Sequence, residues 1–167
     1  MSFNSTINIT TFLTRAQEIL KRNQTLFDPD NKLVTDVLVE APPIEQSPNK
    51  SLIPVIFIDY SRNPFPQTQN MGKSSLDTTA PKYHTLEFYT VVISRGISKQ
   101  EARTKVQTLS SIVRDAYQKN LRMTNADGSD PICATNEVFA IPYVLRSDTP
   151  DIQAINVICR PQVPVQI

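Results

Sequence analysis

The residues whose types and spacing can do chemistry fall in a few short stretches. The first is "SRGISK", Ser94 to Lys99, between a strand-like pattern and a helix-like one. A glycine loop opening a helix is the layout of an anion site, because helix-start N–H groups and the helix dipole both favour negative charge. A phosphate loop, however, gathers several N–H groups with more than one glycine, and adds a lysine and a metal-binding hydroxyl. This stretch holds Gly96 alone and none of that spacing. Arg95 can hold an anion there, but Gly96 more simply makes the turn and Ser98 caps the helix.

The second stretch, "NADGSD", sets Asn125, Asp127, Ser129 and Asp130 around Gly128. A calcium loop of the helix–loop–helix type needs its glycine at the sixth position and a glutamate at the twelfth. Neither is present, and a solvated turn explains the same residues. His84 is the single histidine, far in sequence from Cys133 and Cys159. It stands at the start of a strand, where a half-exposed polar residue is the ordinary case, and work as a general base would require an oriented partner and a nucleophile. Asp28, Asp30, Asp127, Asp130, Asp148 and Asp151 lie in turn-like segments, where aspartate has a local backbone role. No catalytic, cofactor-binding or metal-binding constellation emerges, so the expectation is a protein that is not an enzyme and needs no cofactor.

Seventeen basic groups against sixteen acidic ones leave the chain near neutrality, which disfavours a protein built to neutralise many phosphates. The charge is nonetheless concentrated. From Arg95 to Arg122 seven Lys or Arg face only Glu101 and Asp115. Lys99, Arg103, Lys105, Arg114 and Lys119 fall off the apolar stripe of the helix there, so they form a charged outer face. That face can meet a neighbouring subunit or DNA passing through a ring. The flanks of the two cysteines read as buried strand, where free thiol is a common small hydrophobe, so both are expected reduced. No apolar run reaches membrane-spanning length, and the N-terminus lacks a basic and an apolar leader region. A reducing cytoplasm is the expected site of synthesis.

The elements that would position these residues form one domain over 1–167. "TTFLTRAQEILKRN" has Phe12, Leu13, Ala16, Ile19 and Leu20 at helical spacing, with Thr10 or Thr11 as cap. "KLVTDVLVEA" and "LIPVIFIDY" read as strands, the second near the middle of a sheet. Residues 61–82 carry little periodicity and only four charged side chains. They form either an arm across a neighbour, anchored by Phe65 and Met71, or a floppy excursion. "YHTLEFYTVVIS" alternates, with Leu86, Phe88, Thr90 and Val92 on one face and Thr85, Glu87, Tyr89, Val91 and Ile93 on the other. Ser98 and Glu101 make a capping box for a helix whose stripe is Ala102, Val106, Leu109, Val113, Ala116 and Tyr117. "ICATNEVFAIPYVLR" and "IQAINVICR" add two strands, and the tail 161–167 is extended and apolar, suited either to adding to a sheet edge or to packing on a partner. Helices alternating with strand pairs predict α+β: a mostly antiparallel sheet covered by two helices, with long inter-strand loops.

In element order and size, almost the whole chain resembles the tail-terminator and tail-completion (neck) proteins of tailed phages. The resemblance runs through a capped N-terminal helix, a hairpin ending in "IPVIFIDY", a long polar loop, "HTLEFYTVVISRGIS", a helix, "EVFAIPYVLR" and "QAINVICR". It includes no diagnostic motif, and the proline-rich hairpin and the length of the 61–82 loop depart from shorter family members. The resemblance implies a virion protein that forms a ring, commonly a hexamer, on the last ring of the tail tube. Such a ring stops tube growth and joins the tail to the head connector or stopper protein, with assembly in the host cytoplasm. By position, the loop 61–82, the connection 42–51 and the tail 161–167 match places where such proteins make ring contacts. The interface candidates are therefore Phe65, Met71, Arg95, Lys99, Arg103, Lys105, Arg114, Val163, Val165 and Ile167. A head-completion or baseplate-proximal adaptor is the alternative implied by related folds, and a nucleic-acid-binding accessory protein the one left by the basic helix.

Overall fold

The computed structural model describes residues 9–27, 34, 36–39, 54–60, 67–70, 82–143 and 151–164. Helix α1 (Ile9–Lys21) precedes strands β1 (Val37–Val39), β2 (Val55–Tyr60), β3 (Gln67–Asn70), β4 (Lys82–Thr85) and β5 (Phe88–Arg95). Helix α2 (Lys99–Gln118) and strands β6 (Thr135–Tyr143) and β7 (Ile152–Pro164) complete the order.

β7 organises the sheet. Its first two thirds pair antiparallel with β5 on one side and β6 on the other, and its last residues pair with β4. Thr85 stands opposite Gln162 and Phe88 opposite Cys159, so β4 and β5 are one line in unbroken register. The ladder lapses between them for a chemical reason. Leu86 N–H donates to the Pro161 carbonyl at 3.1 Å, and proline has no N–H to return the second bond of that pair. β2 and β3 pair with β5 and β4 on the edge away from β7, and β1 lies outside β2. The sheet is open, seven-stranded and antiparallel except for β1 with β2.

Both helices lie on one face, as their sequences require. α1 buries Phe12, Leu13, Ala16, Ile19 and Leu20, and α2 buries Ala102, Val106, Leu109, Val113 and Tyr117. They close on Ile56, Ile58, Phe88, Val92, Val157 and Cys159 of the sheet. Each large aliphatic buried this way stabilises by about 1.5–3 kcal/mol. Exposed i,i+4 pairs on α2, such as Lys119 with Asp115, contribute a small fraction of that, so packing against the sheet is what holds the helix. The result is an α+β fold with two helices on a largely antiparallel, open sheet.

Several expectations change at this level. Thr10 and Thr11 lie inside α1, which already includes Ile9; Ile9 packs on the core, and that contact draws the helix beyond either cap. β1 and β2 run parallel where a hairpin was expected, and the stretch 40–54 has the length a parallel crossover needs. The loop 61–82 is not free of regular structure, because β3 pairs with β4 from Gln67 to Asn70 and β4 begins at Lys82. Cys133 precedes β6. Ile132 N–H donates to the Arg122 carbonyl and the Cys133 thiol donates to the Leu121 carbonyl, so this segment bonds to the exit of α2 instead of the sheet. The tail adds to its own chain's sheet through Pro164, one of its two expected courses, and Val163 is buried in the core. Phe65, Met71, Val165, Ile167 and the connection 42–51 lie outside the described residues.

Candidate interaction surface

The corner between β5 and α2 has its hydrogen bonds filled from within. Gly96 N–H donates to the Asp151 carbonyl at 3.0 Å and Ala102 N–H to the Ser98 carbonyl at 3.0 Å. Glu101 N–H donates to Ser98 Oγ, while Ile97 N–H donates to Glu101 Oε2 at 3.0 Å. The Glu101 carboxylate thus reaches back one residue beyond the cap itself. The Lys105 ammonium, which it accepts at 2.8 Å, holds it below its ordinary pKa, with the Ile97 N–H assisting. Arg95 donates to Asp151 at 2.8 Å. An anion entering here would meet a carboxylate already in place, so the corner is no phosphate cradle. Gly96 is needed for a different reason: a Cβ would stand 2.4 Å from the Ala102 nitrogen.

The other reactive candidates are also occupied or apart. Asp127 accepts the Ser129 N–H and hydroxyl, which hold its carboxyl below the usual range. Asp130 pairs with Arg15 at 2.9 Å. Among the described residues no three His, Cys, Asp or Glu gather as metal ligands. Cys133 and Cys159 are free and buried. Burial pushes the Cys133 thiol up to about 12 and the Cys159 thiol up as well, so neither is a nucleophile at neutral pH. His84 pairs across β4 and β7 with Val163.

The basic residues of α2 are all on its outer side. Lys105 and Lys119 pair along the helix with Glu101 and Asp115. Lys99, Arg103 and Arg114 have no ion-pair partner among the described residues.

The largest feature that sequence reading did not single out is the second face of the sheet. Alternate residues point away from the helices: Val55, Phe57 and Asp59 on β2, Tyr89, Val91 and Ile93 on β5, Ala154, Asn156 and Ile158 on β7, Phe139 and Ile141 on β6. Phe57, Val91 and Ala154 are buried there, with Leu38, Val55, Tyr89 and Ile93 packed around them; no residue of either helix belongs to this cluster. Ile141 is 41% exposed, and Asn156 Oδ1 is buried without a hydrogen-bond partner among the described residues. An antiparallel sheet with one wet face alternates apolar with polar. This one is apolar on both faces.

Charge frames that surface. At one end Arg160 donates to Glu87 at 2.9 Å, lies 3.9 Å from Glu137 and sits 4.9 Å over the Phe139 ring. At the other end is the Arg95–Asp151 pair. With Asp59 included, four carboxylates stand against two guanidiniums, a surplus of two negative charges. Partly exposed pairs of this kind add little stability but fix orientation and exclude wrong partners. The signal was present in "EFYTVVIS", where Val91 and Ile93 are as apolar as Val92 on the opposite face.

The chain matches no protein-family model and no curated protein. Among solved structures it is similar to a chain described as "Virion of native gene transfer agent (GTA) particle". The two share 17% identity and a TM-score of 0.44 over 89% of this chain and 91% of that one.

Proposed function

We propose that this chain is a structural, non-enzymatic subunit of a tailed-phage particle. It forms a ring, with a hexamer as the expected form, at the head-proximal end of the tail. There the ring ends tail-tube growth and joins the tube to the head connector or stopper protein. The observation that carries the reading is the fold, two helices on one face of an open, largely antiparallel sheet, in a chain whose described reactive groups are buried or bonded to one another. The order of elements resembles that of tail-terminator proteins. Rings arise when two different patches of one subunit meet and the rotation closes.

The test is the mass of the purified chain at micromolar concentration, alone and with tail-tube protein, followed by electron microscopy of tube ends. Discrete rings that cap tube ends are expected. A strict monomer that never engages a tube end overturns the reading.

One observation favours a second reading, in which the protein contacts nucleic acid. Lys99, Arg103 and Arg114 are cations on one helix side with no ion-pair partner among the described residues. Salt-dependent retention of duplex DNA, lost when Arg103 and Arg114 are reversed to Glu, supports that reading. Within a ring the same residues would face passing DNA.

A further inference from the structure

β6 pairs with β7 along one edge, and among the described residues no strand pairs with its other edge. The bonds of β7 show which backbone groups line that open edge. Leu86 N–H donates to the Pro161 carbonyl and Gly96 N–H to the Asp151 carbonyl, ten residues apart in one register. The odd residues of β7 therefore aim their backbone groups at β4 and β5, and the even ones at β6. Those even residues stand opposite Thr135, Glu137, Phe139, Ile141 and Tyr143. Asn136, Val138, Ala140 and Pro142 are left aiming their N–H and C=O groups away from the sheet, and no other described segment donates to them or accepts from them. Pro142, which has no N–H, falls on this outward set, so it takes nothing from the ladder with β7.

An open edge is a template for another strand, and soluble chains blunt it by shortness, by lysine or by a bulge. β1 and β3, the other outer strands, are short, at three and four residues. β6 runs for nine. It carries no Lys or Arg, and its one charge, Glu137, lies 3.9 Å from Arg160. Ala140, Ile141 and Pro142 are exposed. Charge and bonding capacity select the occupant. A second β6 laid antiparallel about a two-fold axis at Phe139 sets Val138 opposite Ala140 and Asn136 opposite Pro142, so every outward N–H meets an outward C=O. On the other side of the strand Glu137 then faces the uncharged Ile141 of the second copy, and the two Glu137 carboxylates stand about 13 Å apart along the strands. Moving the axis to Val138 would bring those carboxylates to diagonal neighbours, and moving it to Ala140 would lose bonds to Pro142.

We propose that the open edge of β6 pairs with the β6 edge of a second copy of this chain, antiparallel about a two-fold axis at Phe139, joining two sheets into one. The two Phe139 rings meet in a non-hydrogen-bonded pair, where side chains approach most closely and aromatic pairs add stability. The contact is isologous, unlike the heterologous contacts that close a ring. It goes beyond the ring reading and does not depend on it.

The experiment is amide hydrogen exchange of the full chain, read by NMR residue by residue over a dilution series, with sedimentation velocity on the same samples. The amides of Glu137, Phe139 and Ile141 should be protected at every concentration. Those of Asn136, Val138 and Ala140 should exchange freely when dilute and become protected as dimers form. Protection of this second set in the monomer would mean that the chain covers its own edge, and overturns the proposal. So does a chain that stays monomeric at tens of micromolar. Ala140→Pro removes an outward N–H that the fold does not use, as at Pro142, and should weaken association by at least about tenfold; unchanged association overturns the contact. Ile141→Glu and Ile141→Lys test the register at an exposed position. Both remove the same aliphatic group, but Lys faces Glu137 of the second copy and Glu repels it, so the Lys variant should associate several-fold more tightly at low salt. Equal association of the two overturns the axis at Phe139. Dimers that never engage a tube end leave this contact standing and overturn the ring reading alone.

Discussion

The hydroxyls of Thr90 and Tyr117 lie 2.6 Å apart in the core, one on β5 and one near the end of α2. Both residues are wholly buried, so each is the other's replacement for water. The Tyr117 ring also meets Phe88 edge to face at 6.1 Å. This pair pins the C-terminal half of α2 to one position on the sheet. Tyr117→Phe should keep the ring contact but leave the Thr90 hydroxyl without its partner, at a cost of about 1–3 kcal/mol. Replacing both, Tyr117→Phe with Thr90→Val, removes the stranded hydroxyl and should cost less than the single change. Urea unfolding of the three variants measures the cycle, and a double variant weaker than the sum of the singles contradicts the pairing.

Arg15 tests a different kind of burial. It is only 8% exposed, and its guanidinium donates to the Met123 carbonyl at 2.9 Å, the Asp130 carbonyl at 3.0 Å and Asp130 Oδ2 at 2.9 Å. Met123 and Asp130 both adopt the left-handed conformation at φ 50, which non-glycine residues hold at some cost. Arg15 thus fastens the loop after α2 to α1 by its strained points. Arg15→Met leaves two carbonyls unpaired and is expected to lose about 2–4 kcal/mol. Asp130→Asn keeps the carbonyl bond and removes a carboxylate that is 66% exposed, so its loss should stay below about 1 kcal/mol. Equal losses in chemical denaturation would mean that the ion pair, and not the carbonyl bonds, holds the loop.

Both helices and the alternation of β5 were legible because burial on one face writes a period into the sequence. Phe12 to Leu20 and Ala102 to Tyr117 fall on the core as spaced. What could not be read was set by partners distant in sequence. The parallel register of β1 with β2, the lapse at Leu86 caused by Pro161 and the placement of β3 all depend on which strands meet. Arg15 sits three residues from Phe12 and four from Ile19, on the border of the stripe, so its burial had a local hint; its partners did not. The corner at Gly96 was read correctly as a turn with a capped helix. The apolar second face was missed because each strand, taken singly, looks half-buried.

Gly96 sits where the backbone of β5 passes the first turn of α2. A Cβ there would meet the Ala102 nitrogen at 2.4 Å and the Glu101 carbonyl carbon at 2.9 Å. These are backbone atoms of a capped helix and cannot swing aside as a side-chain end can. Gly96→Ala should therefore push α2 from its seat and cost about 1–3 kcal/mol, the usual range for overpacking. A fall of several degrees in the melting midpoint would follow. Replacement of the neighbouring Ile97 by Ala should leave the midpoint nearly unchanged, because its side chain touches nothing the fold needs. A neutral Gly96→Ala would show that the corner has slack.

Alkaline pH should expose the buried thiols. Burial raises Cys133 from its ordinary 9.0 to about 12 and raises Cys159 likewise, and the Tyr117 hydroxyl is also driven up by burial. In the unfolded chain the thiols release their protons as pH passes about 9, while the folded chain retains them. The unfolded state then binds fewer protons, so stability falls as pH rises. The contribution is whole below the ordinary thiol value and, for Cys133, is lost between 9.0 and about 12. Each thiol alone can steepen the fall by up to about 1.4 kcal/mol per pH unit. Urea unfolding from neutral to alkaline pH should show a plateau followed by that decline, shallower when Cys133 and Cys159 are both replaced by Ala. The same burial predicts that a thiol reagent at about pH 8 finds neither cysteine in the native chain and both after unfolding, since the thiolate is the reacting form. Rapid reaction of a native thiol would place it at the surface and remove the cause of the alkaline decline.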